Sequence, residues 1–293
     1  MKNKMFLPWI LLFLVLLGSI PLILYYKGFT SAKIIGILVV ISTSVALWVW
    51  RINTRKTSPR NSKVQLTTND KHWLTQHIPF YKRLKKNDQT IFTDRVGIFL
   101  ADVRITEVGK EQADKETQLY VASSAVIAFW GLPYYNYGNL REVLVYPTNF
   151  NKDNSLNKFG VVNGKVHHGG LMNNTMILSL PALIKGFQID NDKKNVGIHE
   201  FSHLLDKSDG SIDGIPVYLG EEDKKIWVKL MKEAMEKINA DDSTIPSYGG
   251  TSEAEFFAVL TTYYKECPHL LKVKHKPLFD FLERYFNQKN IEL

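Results

Sequence analysis

The segment Asn195-Val-Gly-Ile-His199-Glu200-Phe-Ser-His203-Leu-Leu-Asp206 concentrates the residue types that do chemistry. On a helix, His199 and His203 stand four residues apart and leave from one face, close enough to hold a single metal ion. Two neutral imidazoles suit Zn2+, and a third protein ligand would leave the fourth position open to water. Glu200, beside the first histidine, would reach that water, take its proton as a carbonyl is attacked, and pass the proton to the leaving amine. With eight histidines in 293 residues, His-Glu-x-x-His is expected by chance roughly 0.01 times, so the pattern carries weight.

The third ligand decides the kind of site. In one arrangement a glycine three residues past the second histidine turns the chain back, and a third histidine follows three residues later. Asp206 and Asp209 hold those positions here, and Asp206 suits a helix-end role or support of the ligands. A ligand on a separate helix fits better. Tyr248-Gly-Gly-Thr251-Ser252-Glu253-Ala-Glu255-Phe256-Phe257-Ala258-Val-Leu supplies one. Thr251 or Ser252 would cap a helix, with Glu255 in its first turns. A carboxylate flanked by Phe256, Phe257 and Val259 is costly to bury unless something compensates it, as a zinc ion would. Glu253 stays open as the alternative, although a solvated glutamate favoured by the helix dipole describes it well.

The elements that must position these groups form a mixed α+β order rather than a regular βαβ alternation. Periodicity predicts helices over 73–84, 121–129, 221–240, 253–264 and 277–286, and strands over 103–108, 142–146 and 175–180. The strand at 175–180, ahead of the His-Glu-x-x-His helix, could offer an edge to an extended peptide. No internal repeat and no glycine-rich phosphate loop stands in the sequence.

The motifs together resemble the Mlc titration factor A family, whose members are zinc-dependent gluzincin-type peptidases. The resemblance rests on His199-Glu-Phe-Ser-His-Leu-Leu-Asp206, Asp213-Gly214-Ile-Pro216 and the Tyr248–Leu260 stretch, with Arg141-Glu-Val-Leu-Val-Tyr-Pro147 and Ile177-Leu-Ser-Leu-Pro181 in the family's order. It covers roughly residues 70–288. It implies a zincin-like fold and one Zn2+ per chain held by His199, His203 and Glu255. It also implies Glu200 as general base, Tyr248 as the tyrosine that stabilises the oxyanion, and slow aminopeptidase-like cleavage. One departure is Glu253, where the family pattern has a proline. The other is the N-terminus.

Residues 5–26 and 34–50 are two uncharged, apolar runs, the first long enough for a bilayer core of about 30 Å and the second at the short end of that range. They read as a transmembrane hairpin within 1–52, followed by a polar linker over 53–69 and a zinc metallopeptidase domain over 70–293. A cleaved signal peptide fits less well, because the first run exceeds an ordinary apolar core and Tyr25-Tyr26-Lys27 is a poor cleavage site. Lys2 and Lys4 precede the hairpin, and Arg51, Arg55, Lys56, Arg60 and Lys63 follow it, whereas the connecting loop holds only Lys27 and Lys33. The positive-inside rule then makes this a multi-pass protein of the cell membrane with its catalytic domain in the cytoplasm.

Charge excludes a further class. Residues 1–63 carry nine basic groups and no acid, which leaves 28 basic against 29 acidic residues beyond them. The formal charge of +8 therefore belongs to the membrane flank, and no nucleic-acid partner is expected. The single Cys267 rules out an intramolecular disulfide or a cysteine metal cluster. The pair His167-His168, the aromatic residues Trp130, Tyr134 and Tyr135, and the aspartates 206, 209 and 213 carry no chemistry of their own; the last lack the calcium-loop pattern. Two functions follow. One is a membrane-anchored zinc peptidase acting on a peptide or protein substrate. The other, which the resemblance suggests, is an interaction protein with a peptidase-like fold that sequesters a transcriptional regulator.

Overall fold

The computed structural model describes residues 63–110, 112–132, 137–138, 140–148, 174–206 and 213–287. The predicted hairpin lies outside them, as do Tyr134, Tyr135, His167, His168 and Asp209. No helix among the described residues is long and apolar enough to cross a membrane.

The domain opens with α1 (Thr68–His77), where Thr67 and Asp70 form a capping box: the Thr67 hydroxyl accepts from the Asp70 N–H at 3.1 Å, and the Asp70 carboxylate accepts from the Thr67 N–H at 2.8 Å. The single helix predicted over 73–84 is two. Pro79, which lacks an N–H, starts α2 (Pro79–Arg83) instead of continuing α1. Next comes α3 (Lys86–Asp102), a helix the sequence reading misses although Phe92, Val96 and Phe99 line its buried face.

Strands β1 (Arg104–Glu107), β2 (Glu142–Tyr146) and β3 (Thr175–Ser179) form a sheet in that order, pairing Arg104 with Glu142 and Glu142 with Thr175. Both pairs are parallel, a geometry that needs a long crossover rather than a tight turn. Between β1 and β2 that crossover is α4 (Lys115–Ala128), so one βαβ unit sits inside the irregular order. Helix α4 begins six residues before its predicted start, capped by Asp114, whose carboxylate accepts from the Thr117 N–H at 2.8 Å. Every residue from Leu119 to Ala128 is buried, as expected of a helix apolar on all sides.

Strand β3 runs directly into α5 (Leu180–Gln188), capped by Ser179 and also absent from the sequence reading. A short polar loop leads to α6 (Val196–Asp206), which bears the His-Glu-x-x-His segment. The last elements are α7 (Glu221–Asn239), a 3-10 turn at Ser247–Gly250, α8 (Glu253–Glu266), α9 (Pro268–Lys274) and α10 (Lys276–Phe286). Helix α7 buries Trp227, Met231, Ala234 and Ile238, whereas Ile226, which the periodicity places in the same stripe, is exposed; α8 packs along α6.

Candidate metal centre

Three devices fix α6. Asn195, almost fully buried, accepts from the Ile198 N–H at 3.0 Å and starts the helix. Ile198, Phe201, Leu204 and Leu205 sink into the core, with the Phe201 ring edge-on to Phe99. Gly197 touches α4 so closely that an added Cβ would lie 2.1 Å from the Ser124 hydroxyl, which only glycine permits. These contacts use the inner face of α6. His199, Glu200 and His203 are left toward α8.

Helix α8 brings the partner. Ser252, not Thr251, supplies its cap, its hydroxyl accepting from the Glu255 N–H at 3.2 Å. Phe256 and Phe257 are fully buried, whereas Glu255 is half-buried and turned toward the histidines. Glu255 Oε2 lies 3.0 Å from His199 Nε2 and 3.5 Å from His203 Nε2. The ligand atoms of His199, His203 and Glu255 all fall within 4.8 Å of one another, while Glu253 is exposed and outside the cluster. Two imidazole nitrogens and one carboxylate oxygen, from two helices far apart in sequence, are a donor set suited to a metal ion.

The electrostatics follow from burial and from this contact. Burial alone would raise the Glu255 carboxyl, but hydrogen bonds and charge from His199 and His203 outweigh it and hold the group below the usual carboxylate range. Burial lowers His199, which its hydrogen bond to Glu255 only partly offsets. Burial also works against a charged His203, yet Glu255 and the Glu200 and Asp206 carboxylates raise it. Glu200 is not one of the grouped ligands. Burial pushes its carboxyl up to about 7, the His203 charge working against that shift and the Glu255 charge with it, and its Oε2 is buried without a hydrogen-bond partner.

Tyr248 sits in the 3-10 turn ahead of α8, its ring centroid 5.9 Å from that of His199, with about half its surface exposed. Burial of its hydroxyl, then the Glu255 charge and hydrogen bond, push it up to about 12, so it remains a proton donor. Asp206 takes the helix-end place the sequence assigned it, fully buried and accepting from the Asp213 N–H at 3.3 Å. Trp130 belongs to an aromatic cluster with Phe80 and Phe92 rather than to the centre. The sequence reading missed the role of Gly214 and Trp227, which meet beside Asp206. The Asp213-Gly214 motif was visible, but nothing in it showed what it would touch.

A family model described as glucose-regulated metallo-peptidase M90 matches residues 50–287. An uncharacterized protein of Synechocystis is 26% identical over 228 residues, 73% of this chain and 83% of that protein. Mlc titration factor A of Escherichia fergusonii is 26% identical over 227 residues, 72% and 83% of the respective chains. The protein of the same name from Serratia proteamaculans is 26% identical over 160 residues, half of this chain and 60% of that one.

Proposed function

Because the chain belongs to the glucose-regulated metallo-peptidase M90 family, we propose that it is a membrane-anchored zinc peptidase of zincin-like, gluzincin type, with one zinc per chain. The observation that carries this reading is the His199, His203 and Glu255 cluster beside Glu200, whose buried Oε2 has no partner. Zinc bound there would supply Lewis acidity and make a water easier to deprotonate. His199, His203 and Glu255 hold the ion. Glu200 takes a proton from the attacking water and delivers it to the leaving nitrogen, a task suited to a carboxyl pushed up to about 7. The Tyr248 hydroxyl donates to the oxygen on which negative charge develops. Aminopeptidase-like cleavage is part of the proposal.

The decisive measurement is zinc content together with digestion of a peptide library by the full-length chain. One zinc per chain is expected, with cleavage abolished by a chelator and restored by added zinc. A fully zinc-loaded chain that cuts no peptide would sink the enzyme and leave the second reading. That reading is favoured by the name titration factor, carried by the Serratia and Escherichia relatives: the domain binds a regulatory protein partner. Replacing Tyr248 by Phe should keep zinc and lower the cleavage rate about 10²-fold, the scale of one lost oxyanion donor. An unchanged rate would take Tyr248 out of the mechanism.

Anchoring rests on the apolar runs 5–26 and 34–50 and the basic residues outside them. A reporter fused after Leu293 should read as cytoplasmic, and one inserted at Gly28 as external. A C-terminal reporter active only outside the cytoplasm would reverse the orientation.

A further inference from the structure

We propose that Asp206 and Gly214 form a latch that sets the distance between the histidine pair on α6 and Glu255 on α8. They are thus positioning residues for the metal site. The proposal rests on the zinc reading above and adds to it the device that holds the ligands in register.

Asp206 ends α6 three residues after His203 and is fully buried. Its Oδ1 accepts from the Asp213 N–H at 3.3 Å, one residue before Gly214, and its Oδ2 is buried with no hydrogen-bond partner among the described residues, so the turn hangs on this side chain through a single backbone group. Gly214 has φ +72°, the left-handed region in which glycine is unstrained. Its Cα is pressed onto the first turn of α8: an added Cβ would lie 2.2 Å from the Glu253 carbonyl oxygen and 3.1 Å from the Ala254 nitrogen. The Gly214 carbonyl accepts from the indole N–H of Trp227 at 2.7 Å. Trp227 is itself fully buried, edge-on to Phe257 of α8 and stacked on Phe281 of α10.

The Asp213-Gly214 pair therefore meets three helices: α6 through Asp206, α7 through Trp227, and α8 through the backbone of Glu253. Glu253 precedes Glu255 by two residues. Any displacement of Gly214 is passed directly to the turn that carries the third ligand, while Asp206 ties the same point to the helix that carries the other two. A metal site tolerates little error in ligand spacing, and the groups that orient its ligands typically account for about 10–100-fold in affinity.

The test is zinc affinity of the full-length chain by chelator competition, read beside the visible spectrum of the cobalt-substituted protein and the melting temperature without metal. Gly214→Ala is expected to weaken zinc at least about ten-fold and alter the cobalt bands. Gly220→Ala, in the same connection but with nothing within 4 Å of an added Cβ, should stay close to wild type. Asp206→Ala should weaken zinc similarly, and Asp206→Asn, which keeps an oxygen for the Asp213 N–H, should restore most of the loss. Where Gly214→Ala does not fold, Trp227→Phe decides, because it removes one hydrogen bond and keeps an aromatic ring; zinc weaker by a few fold is expected. Lower melting temperatures with wild-type zinc affinity and cobalt spectra in Asp206→Ala and Trp227→Phe would overturn the latch alone. A wild-type chain that binds no zinc would overturn the functional reading as well.

Discussion

Replacing Glu200 by glutamine is expected to leave one zinc per chain in place and to cut peptide cleavage about 10³-fold, within the range that general acid–base groups supply. Glutamine has nearly the same shape, and Glu200 is not one of the grouped ligands, so the cluster of His199, His203 and Glu255 should not move. What is lost is the site that accepts and returns a proton. The position is suited to that work: burial raises the carboxyl, and the charge of a bound zinc would act the other way and favour the carboxylate that accepts the proton. Oε2 is buried and unpartnered, as a group waiting for a substrate or a water would be. Because Oε2 already lacks a partner, the amide breaks no hydrogen bond there, and zinc content and melting temperature belong beside the rate to show that the fold is intact. Cleavage by the variant at the wild-type rate would remove Glu200 from the mechanism.

The grouping of His199, His203 and Glu255 was legible because its constraints are local. A four-residue spacing fixes two histidines on one helix face, and Ser252 followed by Glu255 and two phenylalanines fixes a helix start with one polar group on the wrong side for the core. Glu255 is less hemmed in than its sequence neighbours suggest. The sequence suggested a carboxylate hemmed in by Phe256 and Phe257. The helix instead turns both rings inward and leaves Glu255 facing the imidazoles of His199 and His203. Strands were legible too, since β2 is a branched apolar run between turn residues and occupies its predicted bounds.

What escaped is whatever depends on distant partners. Helix α3 carries more polar than apolar side chains, and only its packing on α4 and β1 shows which face is the core. Helix α5 follows β3 with no intervening loop, so its first residues read as the end of the strand. Parallel pairing of β1, β2 and β3 is a property of the crossovers, which strand composition does not encode. Gly214 is the sharpest case. A glycine after an aspartate reads as a turn, and only the approach of Glu253 from another helix shows why nothing larger fits.

Glu255→Ala, in contrast with Glu200→Gln, is expected to yield a chain that loses zinc and activity together. Two imidazoles four residues apart on one helix can grip an ion from one side only, and the carboxylate on α8 closes the set from the other. Its removal should weaken zinc by more than the roughly 10–100-fold that loss of an outer supporting group costs. Glu253→Ala is the matched control: it alters a glutamate of the same helix turn that is exposed and outside the cluster, and it should keep both zinc and cleavage. Asp209→Ala should behave as the control does, because no glycine precedes it at the turn a third ligand from that segment would need. Thermal stability gives a second reading. A zinc ion that binds the folded chain and not the unfolded one should raise the melting temperature of wild type and of Glu253→Ala, and leave Glu255→Ala nearly unmoved. Zinc shed by Asp209→Ala and retained by Glu255→Ala would move the third ligand to the end of α6, and with it the class of the whole site.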